Sequence, residues 1–151
     1  MISRAEEFMA LALREAEGAY LEEEVPIGAV LVSFTGEVLA VDHNRTRQLN
    51  DPTAHAEILA LRGAAEIQKN FRLPGTILFV TIEPCLMCAG AIIQARVDKV
   101  VYGADDPKAG ALGSLYDISS DLRLNHRLEV IKGVLETECR EIMQRFFKAR
   151  R

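Results

Sequence analysis

The run "GTILFVTI", residues 75–82, is almost wholly apolar over eight positions. A strand with one wet face alternates apolar and polar residues, so an unbroken run fits a strand buried on both faces. A second short run of this kind, "KVVYGA", occupies 99–104. "IGAVLVSFTGEVLAVD" places two more apolar runs around Thr35-Gly36, a hairpin signal, and "LEVIKG" is expected to be the last strand. Helical signals fall between them. Ser3 followed by Glu6 forms a capping box ahead of Ala5, Phe8, Met9 and Ala12 on one helix side. Asp51 and Pro52 read as an N-cap and first helical position, opening a helix to about Gln68. Pro84 is expected to start another, to about Ala95. From about Val134 the tail spaces Leu135, Cys139, Ile142 and Phe146 as an inward helix face. The segments "HNRTRQLNDPTA" and "DDPKAGALGSLYD" are polar or irregular and are expected to be loops. Strands alternating with helices in a chain of 151 residues predict one α/β layered domain over 1–151.

Composition narrows the function classes. Hydrophobic residues make up 49% and charged residues 26%, ordinary for a soluble globular protein. No apolar run approaches the roughly 18 residues of a membrane span, so no membrane segment is expected. The opening "MISRAEEFMA" lacks a signal peptide's basic start and apolar centre, which predicts a cytoplasmic protein. In that reducing compartment a Cys-x-x-Cys is metal-binding or catalytic more often than structural. The net charge of −4 argues against a general nucleic-acid binder, but it is unevenly placed. Residues 1–24 hold seven acids and two bases, whereas 139–151, "CREIMQRFFKARR", hold five bases and one acid. A basic end on an acidic protein fits either a local phosphate contact or a solvated helix end.

Two segments carry the chemistry. His55-Ala56-Glu57 opens one predicted helix and Pro84-Cys85-Leu86-Met87-Cys88 opens another. Cys85 and Cys88 are three apart, so their sulfurs share a helix face and one ion. Two thiolates and an imidazole suit Zn²⁺ and leave a fourth tetrahedral position for water. Helix N-termini favour negative charge, which holds the thiolates. Glu57 lies roughly 200° around an ideal helix from His55, which counts against a simple His-Glu-x-x-His arrangement. In a first turn aimed end-on at a metal, however, Glu57 reaches the water without ligating the ion. Zn²⁺ with two thiolates and a neutral imidazole carries no net charge and acidifies water weakly, so a neighbouring carboxylate is needed as proton acceptor. Each part also has a plainer reading. His55 and Glu57 suit any helix start, and the cysteines suit a redox pair. A structural zinc site closed by Cys139 or His126 is the third alternative.

His-Ala-Glu followed by Pro-Cys-x-x-Cys resembles the zinc-dependent nucleoside and base deaminases. "VPIGAVLV", "DPTAHAEILALR", "VTIEPCLMCAGAII", "KVVYGADDPKAGALGSL", "NHRLEV" and "FFKARR" are similar to one branch, the bacterial tRNA-specific adenosine deaminases, over nearly the full length. The resemblance implies a three-layer α/β/α cytidine-deaminase-like fold with a mixed five-stranded sheet, and a homodimer. It implies one Zn²⁺ per chain on His55, Cys85 and Cys88, with Glu57 moving protons. The implied reaction turns adenosine into inosine at the wobble position of a tRNA anticodon stem-loop. Asn44 matches a base- or ribose-contacting asparagine, although an Asx-turn would also explain it. Asp106 matches a position beside the nucleotide preceding the target, where a carboxylate accepts from a ribose 2′-OH, or else it forms a turn before Pro107. Phe146, Phe147, Lys148, Arg150 and Arg151 would lie against the anticodon loop, with one ring expected in the core and the other exposed. "HNRTRQLND" and Asp105 depart from the branch's pattern, Asp105 standing where a basic residue is expected. Adenine and cytosine share the amidine unit that is attacked, so the catalytic motif alone does not name the base. The rival readings are a zinc deaminase of a small substrate, such as guanine or a cytosine nucleotide, and a non-catalytic zinc-stabilised RNA-binding module.

Overall fold

The structure, a computed structural model, describes residues 4–150. Ser3, the expected cap of the first helix, and Arg151 lie outside the described residues. Helix α1 (Arg4–Leu21) leads into the hairpin β1 (Gly28–Ser33) and β2 (Val38–His43). Gly36 sits in its turn at φ +93°, a backbone region that side-chain-bearing residues rarely enter. Then follow α2 (Ala56–Gln68), β3 (Thr76–Ile82), α3 (Leu86–Gln94) and β4 (Lys99–Ala104). A 3₁₀ turn at Ile118–Ser120 precedes β5 (Glu129–Lys132) and α4 (Glu136–Lys148).

The strands form one sheet in the order β2-β1-β3-β4-β5. β1 is antiparallel to both β2 and β3, whereas β3–β4 and β4–β5 are parallel, which makes the sheet mixed. β3 is central, and its apolar run serves two cores. Leu78 and Val80 pack with Ala60 and Leu61 of α2 and Ala89 and Ile92 of α3. Phe79 packs with Phe8 and Met9 of α1 and Cys139 of α4. Helices therefore cover both faces, giving the three layers. Fully burying a side chain such as Leu78 contributes about 1.5–3 kcal/mol, which is why this run takes the middle of the sheet.

Two helix starts differ from the sequence expectation. The Asp51 carboxylate accepts from both the backbone N–H and the hydroxyl of Thr53, so it closes a local turn instead of capping a helix at Pro52. α2 consequently begins at Ala56 with His55 as its N-cap residue, extended at φ −74°, ψ 155°. α3 begins at Leu86, not Pro84, and Cys85 is its N-cap at φ −74°, ψ 175°. Neither cap side chain bonds its own helix end. The consequence is functional, since both side chains stay free to face each other. Among the described residues no helix is long and apolar enough to cross a membrane.

Candidate active site

β3 and β4 run in parallel, and the segments leaving their carboxyl ends lie at the same edge as the first turns of α2 and α3. Crevices at the carboxyl ends of such strands are the usual ligand sites of open α/β sheets. There His55 Nδ1 lies 3.6 Å from Cys85 Sγ and 3.4 Å from Cys88 Sγ. All three donor atoms fall within 4.8 Å of one another. Tetrahedral bonds of about 2.3 Å to sulfur and 2.0–2.1 Å to nitrogen separate those atoms by about 3.5 Å, so the spacing fits one zinc-sized dication. The donor chemistry fits as well, because two thiols and an imidazole are borderline-soft ligands.

The protons report the same crowding. The Cys85 thiol is pulled down to about 4, chiefly by a hydrogen bond from Cys88 and further by His55. Cys88, donating that bond from a buried position, is pushed up. His55 is raised by its contact with Cys85. Glu57 is 3% exposed, and burial lifts its carboxyl to about 7 against the opposing pull of its backbone N–H and His55. The site thus holds a thiolate, a thiol that donates to it, and a carboxyl that titrates near neutrality.

The plainer alternatives for the fourth ligand do not stand. His126 Nε2 bonds the Val97 carbonyl at 2.6 Å, and Cys139 is fully buried against β4. Neither belongs to a cluster of metal-type donors among the described residues. Burial pushes the Cys139 thiol up to about 12, so it is chemically inert in the folded state. In metal-free native protein a thiol reagent should label Cys85 and leave Cys139 unlabelled until denaturant is added. Peptide mass spectrometry checks this; early labelling of Cys139 would contradict its packing.

A cleft of about 1220 Å³ opens above the donors, with His55 and Ala56 in its wall. Asn44 and Thr46 line one side, and Asp105, Asp106, Pro107 and Lys108 line another. α4 and the two residues after it supply a third wall with Arg140, Met143, Gln144, Phe147, Lys148 and Arg150. Of the residues singled out by sequence, Asn44, Asp106, Phe147, Lys148 and Arg150 therefore meet at the cleft. Phe146 does not. It is 3% exposed, edge-on to Tyr20 at 5.8 Å, with the Arg150 guanidinium 3.5 Å from its ring centroid, whereas Phe147 is 47% exposed. Asn44 also forms the Asx-turn, accepting from Thr46 N–H at 3.4 Å. Asp106 likewise caps its own turn, accepting from the N–H groups of Lys108 and Ala109. Asp105 accepts from the hydroxyl of buried Tyr102 at 2.9 Å.

Sequence reading missed several participants. Arg140 and Gln144 lie two turns and one turn before Phe147 and Lys148, so helical spacing carried their signal. Glu24, 1% exposed, accepts from the N–H groups of Arg47 and Gln48 and holds the loop beyond Asn44 and Thr46. Glu83 is buried beside the cysteine pair, and no periodicity marks either carboxylate.

A family model described as MafB19-like deaminase matches residues 3–151. A tRNA-specific adenosine deaminase of Agrobacterium fabrum is 51% identical over 95% of this chain and 94% of its own. The chain belongs to the tRNA-specific adenosine deaminase family. A tRNA-specific adenosine deaminase from Haemophilus influenzae is 45% identical over 97% of this deaminase and 84% of that protein. A solved structure from work on A-to-I editing by tRNA:A34 deaminases at the wobble position is 51% identical. It covers 90% of this chain and 98% of its own, with a TM-score of 0.87. The three-layer sheet seen here is accordingly the cytidine-deaminase-like fold, as the motifs implied.

Proposed function

We propose that this deaminase hydrolyses adenosine to inosine at the wobble position of a tRNA anticodon, as one domain spanning 1–151. It takes one Zn²⁺ per chain, held by His55, Cys85 and Cys88, and works in the cytoplasm as a homodimer. The observation that carries the reading is buried Glu57 in contact with Cys88 of the donor trio, next in the chain to His55 and Ala56 of a cleft rimmed by basic and aromatic residues of α4. When bound, the metal supplies a Lewis acid that makes water nucleophilic near neutral pH.

The chain's own residues do the rest. Glu57 takes a proton as the water oxygen adds to the amino-bearing carbon and delivers it to the adjacent ring nitrogen. Glu57 then carries the second proton of that water to the amino group, which leaves as ammonia, while the oxygen keeps the carbon as a carbonyl. Adenosine and water thus give inosine and ammonia. Burial keeps bulk water from competing for those transfers. Asn44 presents its amide at the cleft wall, where it orients the base or ribose. Phe147 offers an exposed ring for stacking, and Lys148 and Arg150 sit where phosphates of a looped strand pass. A base in an anticodon loop is already unpaired, so little energy is needed to splay it into the cleft.

Incubation of the zinc-loaded protein with an adenosine-bearing anticodon stem-loop should yield inosine by mass spectrometry. No inosine, with turnover of free guanine or a cytosine nucleotide instead, would move the reading to a small-substrate deaminase. The basic rim argues against that outcome, since a free base has no phosphates to meet it. Replacing Lys148 and Arg150 with Ala should weaken stem-loop binding and reduce its salt slope by about 0.7 per lost phosphate contact. An unchanged slope would return the α4 end to the solvated reading.

A further inference from the structure

Glu83 is 3% exposed and stands between the last residue of β3 and the Pro84-Cys85 pair. Its Oε1 accepts from the Asp106 N–H at 3.0 Å and from the Ser114 hydroxyl. Its Oε2 accepts from the N–H groups of Leu112 and Ser114, each at 3.0 Å. Four donors fill the lone-pair sites of one carboxylate. All four come from 106–114, in the irregular segment after β4. That segment touches the Pro84-Cys85 pair directly, because Gly110 bridges to Cys85 and the Ala111 N–H donates to the Pro84 carbonyl at 2.9 Å. It also brings Asp106, Pro107 and Lys108 to the cleft. Gly110 has no side chain for a specific reason: a Cβ there would overlap the Glu83 carboxylate.

We propose that Glu83 is a positioning residue of this deaminase, whose carboxylate pins the 106–114 segment so that Asp106, Pro107 and Lys108 hold the nucleotide flanking the target base. The substrate half of this inference rests on the RNA reading above; the hold on the segment does not. The chemistry calls for a carboxylate. The N–H groups of Asp106, Leu112 and Ser114 take this carboxylate as acceptor, and buried donors without acceptors are costly. Gln has a single acceptor oxygen, and its amide would turn N–H donors toward N–H donors. Ala would leave all four donors without this acceptor. None of the contacts among His55, Cys85 and Cys88 involves Glu83, so the expected defect lies in substrate binding.

The test compares zinc-loaded wild type with Glu83→Gln and Gly110→Ala. In Glu83→Gln, amide exchange across 105–116 should accelerate by about tenfold or more, the loss expected for a hydrogen bond to a charged acceptor. Exchange in β3 and α2 should hold, and zinc should remain at one per chain. KM for the anticodon stem-loop should rise by about the same factor, with kcat within about threefold. Gly110→Ala should produce the same split and combine less than additively with Glu83→Gln, because both act on one carboxylate. Unchanged exchange in 105–116, loss of zinc, or faster exchange everywhere with KM unchanged would each overturn the proposal. A wild-type enzyme inactive on the stem-loop would overturn the RNA reading instead, and the exchange arm would still decide what Glu83 holds.

Discussion

Glu57→Ala should keep its zinc and lose turnover by about 10⁴, the upper range for removing a general acid–base. That factor corresponds to about 5.5 kcal/mol of transition-state stabilisation. The size follows from the role, because one carboxylate handles every proton in the proposed reaction and, among the described residues, the other buried acid beside the cysteines is not free to replace it. Glu83 is the nearest buried carboxylate in sequence, and all its lone pairs are committed elsewhere. Ala also opens a space in a buried position, so Glu57→Gln is the stricter control: it keeps the volume but cannot accept and return a proton. Single-turnover assays with metal analysis of the same samples check this. Either variant retaining near wild-type rate with zinc bound would remove Glu57 from the chemistry.

Cys88→Ala should lose metal and activity together. Cys88 is fully buried and 3.4 Å from His55 Nδ1, so its loss leaves one thiolate and one imidazole. The chain should nonetheless stay folded. Neither apolar core includes any of the donor trio. Binding to the native state alone contributes about 2.7 kcal/mol when free zinc is a hundredfold above its Kd. For a chain of this size that is roughly 5–10 °C in melting temperature. Chelation should therefore lower the melting point of wild type by that amount, leave its circular dichroism at 25 °C unchanged, and do nothing to Cys88→Ala. Unfolding at 25 °C on chelation would instead favour a structural zinc module.

Much of this architecture was legible because its signals are local. The almost wholly apolar run at 75–82 pointed to a strand buried on both faces, and the Thr35-Gly36 turn set the hairpin. The helix starts were less legible. Asp51 and Pro52 carry good capping chemistry, yet Thr53 offers that carboxylate two nearer donors, and a local hydrogen bond won. Phe146 and Phe147 are adjacent and chemically alike, so only the rotation of α4 against Tyr20 assigns one to the core and one to the cleft. Glu83 and Glu24 left no trace in periodicity, since their partners are backbone N–H groups of distant loops.

The sequence by itself determined the donor types, their order and the family, because these depend on side-chain chemistry and on spacings of two or three residues. Tertiary structure decided that the donor atoms of His55 and the cysteines, 30 and 33 residues apart along the chain, come within 4.8 Å of one another. It decided too that Asn44, the 105–108 segment and α4 wall a single cleft. Those outcomes depend on how β3 packs between two helical layers and on where buried carboxylates anchor loops, energies that arise only when distant segments meet.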